Sequence, residues 1–344
     1  MAWLIGWQYR KKITISGSTG AGMNYQVLLK VGESLGATGY DFHVNGHSSN
    51  FPSGKNQSGD LRFTADDGTT LLDFWVEKVE GTSPNRVAYI WVEVSVNLDT
   101  NQDIYCYYGN PSATNVSNGD NTFLLFDNFD GASLDPNKWT QLSSGHTLSN
   151  SEVLIADPNP TVDQLEGICT VNSFSGNFAV EVKRDRQKIA VMGTIHAPIE
   201  FYIDGNNRIR IWRYYHSLYG WYNPAITKVV AGNSTILYRD TTSHGETYNV
   251  EYVKDIKVTK IGQTFTFYWD YGSGYIQVYS GNITDWAASQ AWILRHYSEN
   301  NPDASYSYID IILIRKYTSP EPAFSSAGAE EEPTFSRSFG YIFN

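Results

Sequence analysis

Phe126-Asp-Asn-Phe-Asp-Gly-Ala-Ser-Leu-Asp-Pro-Asn-Lys-Trp139 and Tyr308-Ile-Asp-Ile-Ile-Leu-Ile-Arg-Lys-Tyr317 bracket the larger part of this chain. The first is an acidic loop that ends on a Trp. The second is an apolar, strand-like run interrupted by one carboxylate, Asp310. In an antiparallel sandwich the first and last strands often pair side by side, which brings Asp127 or Asp130 toward Asp310. Two or three carboxylate oxygens gathered there suit a hard cation such as Ca2+ better than proton transfer. The competing reading gives Asp127 and Asp130 to Asx turns and Asp310 to an ion pair with Lys138 or Arg315. On both readings the bracket delimits a closed β-sandwich and divides the chain in two.

At 344 residues the chain exceeds one ordinary core and fits two domains. Its 15% aromatic and 18% charged composition, with 29 Gly and 24 Tyr, favours pleated sheets joined by tight turns. A formal net charge of -11 without a compensating basic cluster excludes nucleic acid as the partner. No apolar run approaches the roughly 18 residues of a membrane-spanning helix. Met1-Ala-Trp-Leu-Ile-Gly-Trp7 lacks the charged start of a signal peptide and runs straight into a strand. The expected location is an extracellular surface or a virion, the latter needing no leader if assembled in a host cell and released by lysis. Cys106 and Cys169 are too few for a disulfide framework and read as buried free thiols.

Period-two alternation recurs on both sides of a polar connector. Ile13 and Ile15 share one face of Lys12–Ser16, and Gln26–Val31, Asp60–Thr64, Thr70–Lys78, Val87–Val94 and Asp103–Tyr108 follow the same rule. Asp66-Asp-Gly68 is a hairpin signal because Asp-Gly tolerates positive φ. Beyond the connector, Asn177–Val182, Ile189–Met192, Ile199–Ile203, Arg208–Trp212, Tyr248–Val253, Lys257–Thr259, Thr264–Trp269 and Tyr275–Val278 read as strands, and only Ile283–Ala291 reads as a helix. The predicted fold is all-β: two antiparallel β-sandwich or jelly-roll domains, at 1–111 and 123–318, joined by a linker at 112–122. Residues 319–344 read as a Pro/Ser/Glu-rich linker and an aromatic tail. Phe339, Tyr341 and Phe343 in that tail are expected to dock on a neighbouring subunit, as an added strand or plug in a homo-oligomer, filament or virion.

Three separated motifs of the first block, Trp3–Ile15, Asp60–Thr70 and Ile104–Pro111, resemble the domain of unknown function 2341. The resemblance spans nearly the whole block and implies a jelly-roll-like module with no established chemistry, of the kind found in archaeal, bacterial and viral surface proteins. The second block resembles the concanavalin A-like lectin/glucanase superfamily, through its Asp-x-Phe-Asp-Gly…Trp opening and its Tyr-Ile-Asp310 close. In laminarinase-type hydrolases of that superfamily an Asp on the closing strand binds calcium, which implies the same for Asp310. Those hydrolases also carry Glu-x-Asp-x-x-Glu on an inner strand, and this chain has no such run. Glu181-Val-Lys-Arg-Asp185 has the wrong order.

The remaining carboxylate candidates, Glu181, Glu200, Asp204, Glu251 and Asp270, all read as outward-facing or turn positions. No nucleophile elbow, phosphate loop or His-Glu-x-x-His occurs, and catalytic residues are therefore expected to be none. The sharper candidate is Trp212-Arg-Tyr-Tyr-His-Ser-Leu-Tyr-Gly-Trp-Tyr222. Trp212, Tyr214, Tyr215, Tyr219 and Trp221 offer ring faces on which sugar C–H bonds stack, and the alternative is that they fill a core or a subunit interface. The expected function is a non-enzymatic surface or virion structural and recognition protein, with a glycan or host receptor as partner. The alternatives are a calcium-dependent carbohydrate-binding module and a divergent glycoside hydrolase or lyase.

Overall fold

The computed structural model describes residues 2–141, 146–156, 164–188, 195–204, 206–216, 221–241, 251–270, 272, 274–283, 289–298 and 306–333. Within these the chain forms two compact units. One comprises Met1–Phe123 together with Thr318–Asn344, and the other comprises Leu124–Tyr317. The second unit is therefore an insertion in the first.

Unit 1 is a sandwich of two four-stranded sheets. One sheet runs Ala323–Glu331, Tyr9–Ser16, Gln102–Tyr108, Arg62–Ala65, all antiparallel. The other runs Phe42–His43, Tyr25–Gly32, Val87–Val94, Phe74–Glu80, with the two-residue strand parallel to its neighbour. The expected alternation is realised. Ile13, Ile15, Ile104, Cys106 and Tyr108 from one sheet meet Val27, Leu29, Val31, Ile90 and Val92 from the other in a single core. Each such side chain removed from water contributes about 1.5–3 kcal/mol. At the Asp66-Asp-Gly68 turn, Asp67 Oδ1 accepts from the amides of Thr69 and Thr70 at 2.8 Å, and Gly68 adopts φ +78°. Cys106 is fully buried, and burial pushes its thiol well above the usual range; Cys169 is only partly buried.

The segment 319–333 is a correction to the sequence reading. Instead of a linker, it contains a nine-residue strand, Ala323–Glu331, paired with Tyr9–Ser16. Its composition misleads because an edge strand with mostly exposed side chains needs no apolar alternation; backbone pairing suffices. Polar anchors fix its register. Arg10 pairs with Glu331 at 2.7 Å while its guanidinium lies between the rings of Trp3 and Tyr105, 4.4 and 4.1 Å from their centroids. Glu330 accepts from the Tyr108 hydroxyl at 2.7 Å and meets His47 Nδ1 at 2.8 Å. Phe324 stacks on Phe42. Phe339, Tyr341 and Phe343 lie outside the described residues.

The stretch 112–122 is not a free connector either. Ser117 Oγ accepts from the Val76 amide at 2.9 Å, and Asn118 caps the four-residue helix Gly119–Thr122.

Unit 2 is a larger sandwich. Its nine-stranded sheet runs His146–Ser149, Glu152–Ala156, Tyr306–Ile309, Phe178–Lys188, Glu251–Ile261, Thr264–Asp270, Tyr275–Asn282, with Ile311–Lys316 also on Phe178–Lys188 and Leu125–Asp127 beyond it. Its eight-stranded sheet runs Asn233–Arg239, Trp221–Val230, Asn207–His216, Ile195–Asp204, Ser289–Ser298, Gln164–Thr170, Trp139–Gln141, with Phe174–Ser175 also on Ser289–Ser298. Phe178, Val180, Val182, Ile256, Val258, Phe265 and Phe267 of the first sheet share a core with Ile199, Phe201, Ile209, Ile211 and Ile226 of the second. The Phe201 and Phe265 rings meet edge to face at 5.2 Å.

The helix expected at 283–291 is not formed as read. Residues 289–291 open the strand Ser289–Ser298, and the intervening 284–288 lie outside the described residues. In a run this short, a buried strand and a helix carry the same apolar signal.

Deleting residues 318–344 should expose the backbone edge of Tyr9–Ser16. The expected result is a drop of about 5 °C or more in the melting temperature of unit 1, with the transition of unit 2 unchanged. Differential scanning calorimetry of the full and shortened chains reads it, and coincident profiles would refute the anchoring role.

Candidate functional site: a basic groove on one sheet of unit 2

The bracketing motifs meet as the sequence implies. Leu125–Asp127 pairs antiparallel with Ile311–Lys316, with Asp127 opposite Ile312. The carboxylates, however, are employed separately. Asp127 Oδ1 accepts from the Phe129 amide at 2.8 Å and Oδ2 from the Trp139 indole at 2.6 Å. The Asp at the start of the opening motif thus holds the Trp at its end, and Phe129 is carried at φ +50° between them. Asp130 bonds Asn128. Asp310 stands where Tyr306–Ile309 gives way to Ile311–Lys316, opposite a bulge between Val182 and Asp185, and lies 3.5 Å from Arg184. Among the described residues no group of three or more His, Cys, Asp or Glu is arranged to hold a metal ion. Asp127 and Asp130 are thus engaged in local turn and indole bonds and Asp310 faces a guanidinium.

Two carboxylates that read as outward-facing in the sequence do lie on outer sheet faces, yet they are buried there. Glu181 lies between Arg315, whose Nε donates at 3.0 Å, and Lys183 at 3.0 Å. Burial alone would raise its pKa. The charges of Lys183, Arg315 and Lys257 outweigh burial and hold the carboxyl well below the usual carboxylate range. Lys257 also sits over the rings of Tyr268 and Tyr275, at 4.5 and 4.7 Å. This cluster is a structural knot of charge and rings.

Glu200 is the second. Its neighbours Ile199 and Phe201 point into the core, so Glu200 stands on the opposite face of the eight-stranded sheet. Its side chain has no exposed surface, and it accepts from Arg210 Nε at 3.0 Å. Of the other candidates, Asp270 is a turn residue accepting from the Gly272 and Gly274 amides, and the side chains of Asp204 and Glu251 lie outside the described residues.

The same face carries a groove of about 290 Å³ lined by Arg208, Arg210, Thr227, Val229, Gly232, Ser234, Ile236 and Arg239. Three adjacent strands build it. Arg208 and Arg210 pair with Val229 and Thr227, and Thr227 pairs in turn with Ile236 and Ala225 with Arg239. Thr227 and Val229 therefore form a floor between arginines on two sides. Sequence reasoning missed this site because its residues alternate singly along three strands and never form a run. Trp212, Tyr214, Tyr215 and Trp221 belong to the two strands that carry Arg208, Arg210, Thr227 and Val229, at backbone positions opposite Ala225, Asn223, Tyr222 and His216 respectively. Their side chains, and Tyr219 altogether, lie outside the described residues.

A family model described as a domain of unknown function (DUF2341) matches residues 57–142. It covers two of the three motifs that suggested it and runs past the end of unit 1. No curated protein sequence matches the chain. Among solved structures, the chain is similar to the xylan β-1,4-xylosidase from Bacillus halodurans C-125, at 12% identity and TM-score 0.45, over 70% of this chain and 46% of that one. It is also similar to the Bacteroides ovatus xyloglucan PUL GH43B protein, at 13% identity and TM-score 0.43, over 75% of this chain and 53% of that one. A third structure, titled for endo-acting O-glycanases of the human gut microbiota that initiate mucin breakdown, aligns at 13% identity and TM-score 0.43, over 57% of this chain and all of that one. The chain spans about half the length of the first two. These findings correct the expectation of a non-enzymatic virion or surface structural protein: the named neighbours are glycoside hydrolases and glycanases. The reading that the chain is not an enzyme falls with it.

Asp127→Ala should remove the partner of a buried indole N–H and cost about 2 kcal/mol, measured by urea unfolding of unit 2. A loss under about 0.5 kcal/mol would refute the tie. Glu181→Gln gives a pH signature. A folded carboxyl pKa below the unfolded value of about 4.3 adds stability that is present above that pH and is lost as pH falls through the folded value. The variant should be less stable by about 3 kcal/mol at pH 7, and the gap should narrow below about pH 4. A gap that stays constant down to pH 2.5 would count against the ion cluster.

Proposed function

We propose that this chain is a glycan-directed protein whose second unit holds a saccharide in the groove formed by Arg208, Arg210, Thr227, Val229, Ser234 and Arg239. The observation that carries the reading is the groove itself: a concave site on a sheet face, with guanidinium and hydroxyl donors around an apolar floor. Saccharides present that mixture of hydroxyl acceptors and C–H faces. The ring-bearing positions Trp212, Tyr214 and Trp221, in the same two strands and at the parity of Arg208 and Arg210, extend the reading along the sheet. A second reading, cleavage of the bound glycan by a divergent glycoside hydrolase or lyase site, is favoured by Glu200. It is a buried carboxylate on this face, bonded to Arg210.

Ser234→Trp places a bulky ring in the groove from an exposed position and leaves the core untouched. Polysaccharide binding, read by affinity electrophoresis across xylan, xyloglucan, mucin glycans and pectins, should fall at least tenfold in the variant with an unchanged melt. Retention of full affinity would overturn the proposed site. Reducing-end release that disappears in Glu200→Gln would establish the second reading.

A further inference from the structure

Lys11 occupies a place where the alternation of its strand calls for an apolar side chain. It follows the parity of Ile13 and Ile15, pairs with Cys106 on one side and Glu330 on the other, and is only 6% exposed. Its stem reaches across unit 1 to the loop that follows Phe42–His43 in the opposite sheet. There Nζ donates to the His43 carbonyl at 2.7 Å and to Asn45 Oδ1 at 3.4 Å. Asn45 and Gly46 both adopt left-handed backbone, at φ +55° and +74°. The turn is pinned by the Val44 amide donating to Gly32 and the Gly46 amide to Glu33. A turn of this kind accounts for an Asn-Gly pair by itself. It does not account for a lysine buried beneath it. Glu330 stands directly opposite Lys11 on the neighbouring strand, so the two side chains share a face. The Glu330 oxygens are held by the Tyr108 hydroxyl and by His47.

We infer that Lys11 and Asn45 become joined by an intramolecular isopeptide bond, with Glu330 carrying the proton between them. The Nζ lone pair attacks Asn45 Cγ, which lies one bond beyond Oδ1 and close to the roughly 3–3.5 Å at which atoms are poised to react. The Nζ–Cγ bond forms and the Cγ–Nδ2 bond breaks. Glu330 takes one proton from Nζ and delivers it to Nδ2, which leaves as ammonia. No oxidant, reductant or external reagent enters. Burial holds Lys11 below the usual lysine range, against the opposing charge of Glu330, and so raises the share of uncharged amine able to attack. Asn45 is exposed, so the ammonia passes directly into water. The product ties the strand Tyr9–Ser16 to the loop of the facing sheet, across 34 positions of chain.

Intact mass spectrometry of the full chain is the test. The folded protein is expected to be lighter than its sequence by about 17 Da, the mass of one ammonia. A tryptic digest should contain a branched peptide that carries both Lys11 and Asn45. Lys11→Arg retains the charge and Asn45→Gly retains the left-handed turn, and each should restore the full mass. Their unit 1 transition should fall by about 5–10 °C in calorimetry, the effect of losing a crosslink of this span. Glu330→Gln keeps the shape of the side chain and should leave most of the chain at full mass. Complete loss of ammonia in that variant overturns the role given to Glu330. A wild-type chain that stays at full mass through prolonged incubation at mildly alkaline pH overturns the inference. So does a loss of ammonia that persists in Lys11→Arg, which assigns it to a succinimide at Asn45-Gly46. The wild-type mass and the branched peptide decide the question even where a variant fails to fold.

Discussion

Antiparallel pairing of Ala323–Glu331 with Tyr9–Ser16 is the constraint on which the rest of the architecture depends. A strand from the far end of the chain supplies one edge of the sheet built by its beginning. Everything between Phe123 and Thr318 must therefore leave unit 1 and return to it. The side chains of that strand contribute little apolar burial. It is held by backbone hydrogen bonds and by Arg10, His47 and Tyr108 acting on Glu330 and Glu331. Such charge contacts are weak when solvated, but Arg10 is almost wholly buried and stacked between two rings, where its ion pair gains from a lower local dielectric.

Unit 2 uses the same physics for another end. Each strand divides its residues between a core face and an outer face, and it is the outer face that distinguishes the two sheets. On the nine-stranded sheet that face gathers Glu181, Lys183, Lys257 and Arg315 into a mutually compensated cluster. On the eight-stranded sheet it places Arg208, Arg210 and Arg239 around a concavity, with Arg210 bonded to the buried Glu200.

The strands themselves were legible in the sequence because period-two alternation survives wherever one face is buried. Ile13 with Ile15, Phe178 with Val180, and Phe265 with Phe267 all point where alternation places them. The bracketing motif was legible as a strand pair, since Leu125–Asp127 does lie on Ile311–Lys316. Its chemistry was not, because an Asp that bonds an indole and an Asp that binds a cation look alike in one dimension. The edge strand at 323–331 was hidden by its composition, and the groove by its dispersal over 208–210, 227–229 and 232–239. Burial of Glu200 and Glu181 was equally invisible, since their partners Arg210 and Arg315 lie ten and 134 positions away.

The insertion has a consequence for the order in which the chain assembles. Leu125 lies opposite Ile314, and the Leu124 amide bonds the Ile314 carbonyl at 2.9 Å, so the ends of unit 2 are neighbours. In an unfolded chain, bringing Tyr9–Ser16 to Ala323–Glu331 closes a loop that includes the 194 residues from Leu124 to Tyr317. Once unit 2 has folded, those residues count as little more than a single short crosslink. The residues of unit 1 remain in the loop, so it shortens about threefold and the entropic cost of closure falls by about 1 kcal/mol. Folding of the inserted sandwich thus eases, by that modest margin, the return of the final strand to the edge of Tyr9–Ser16.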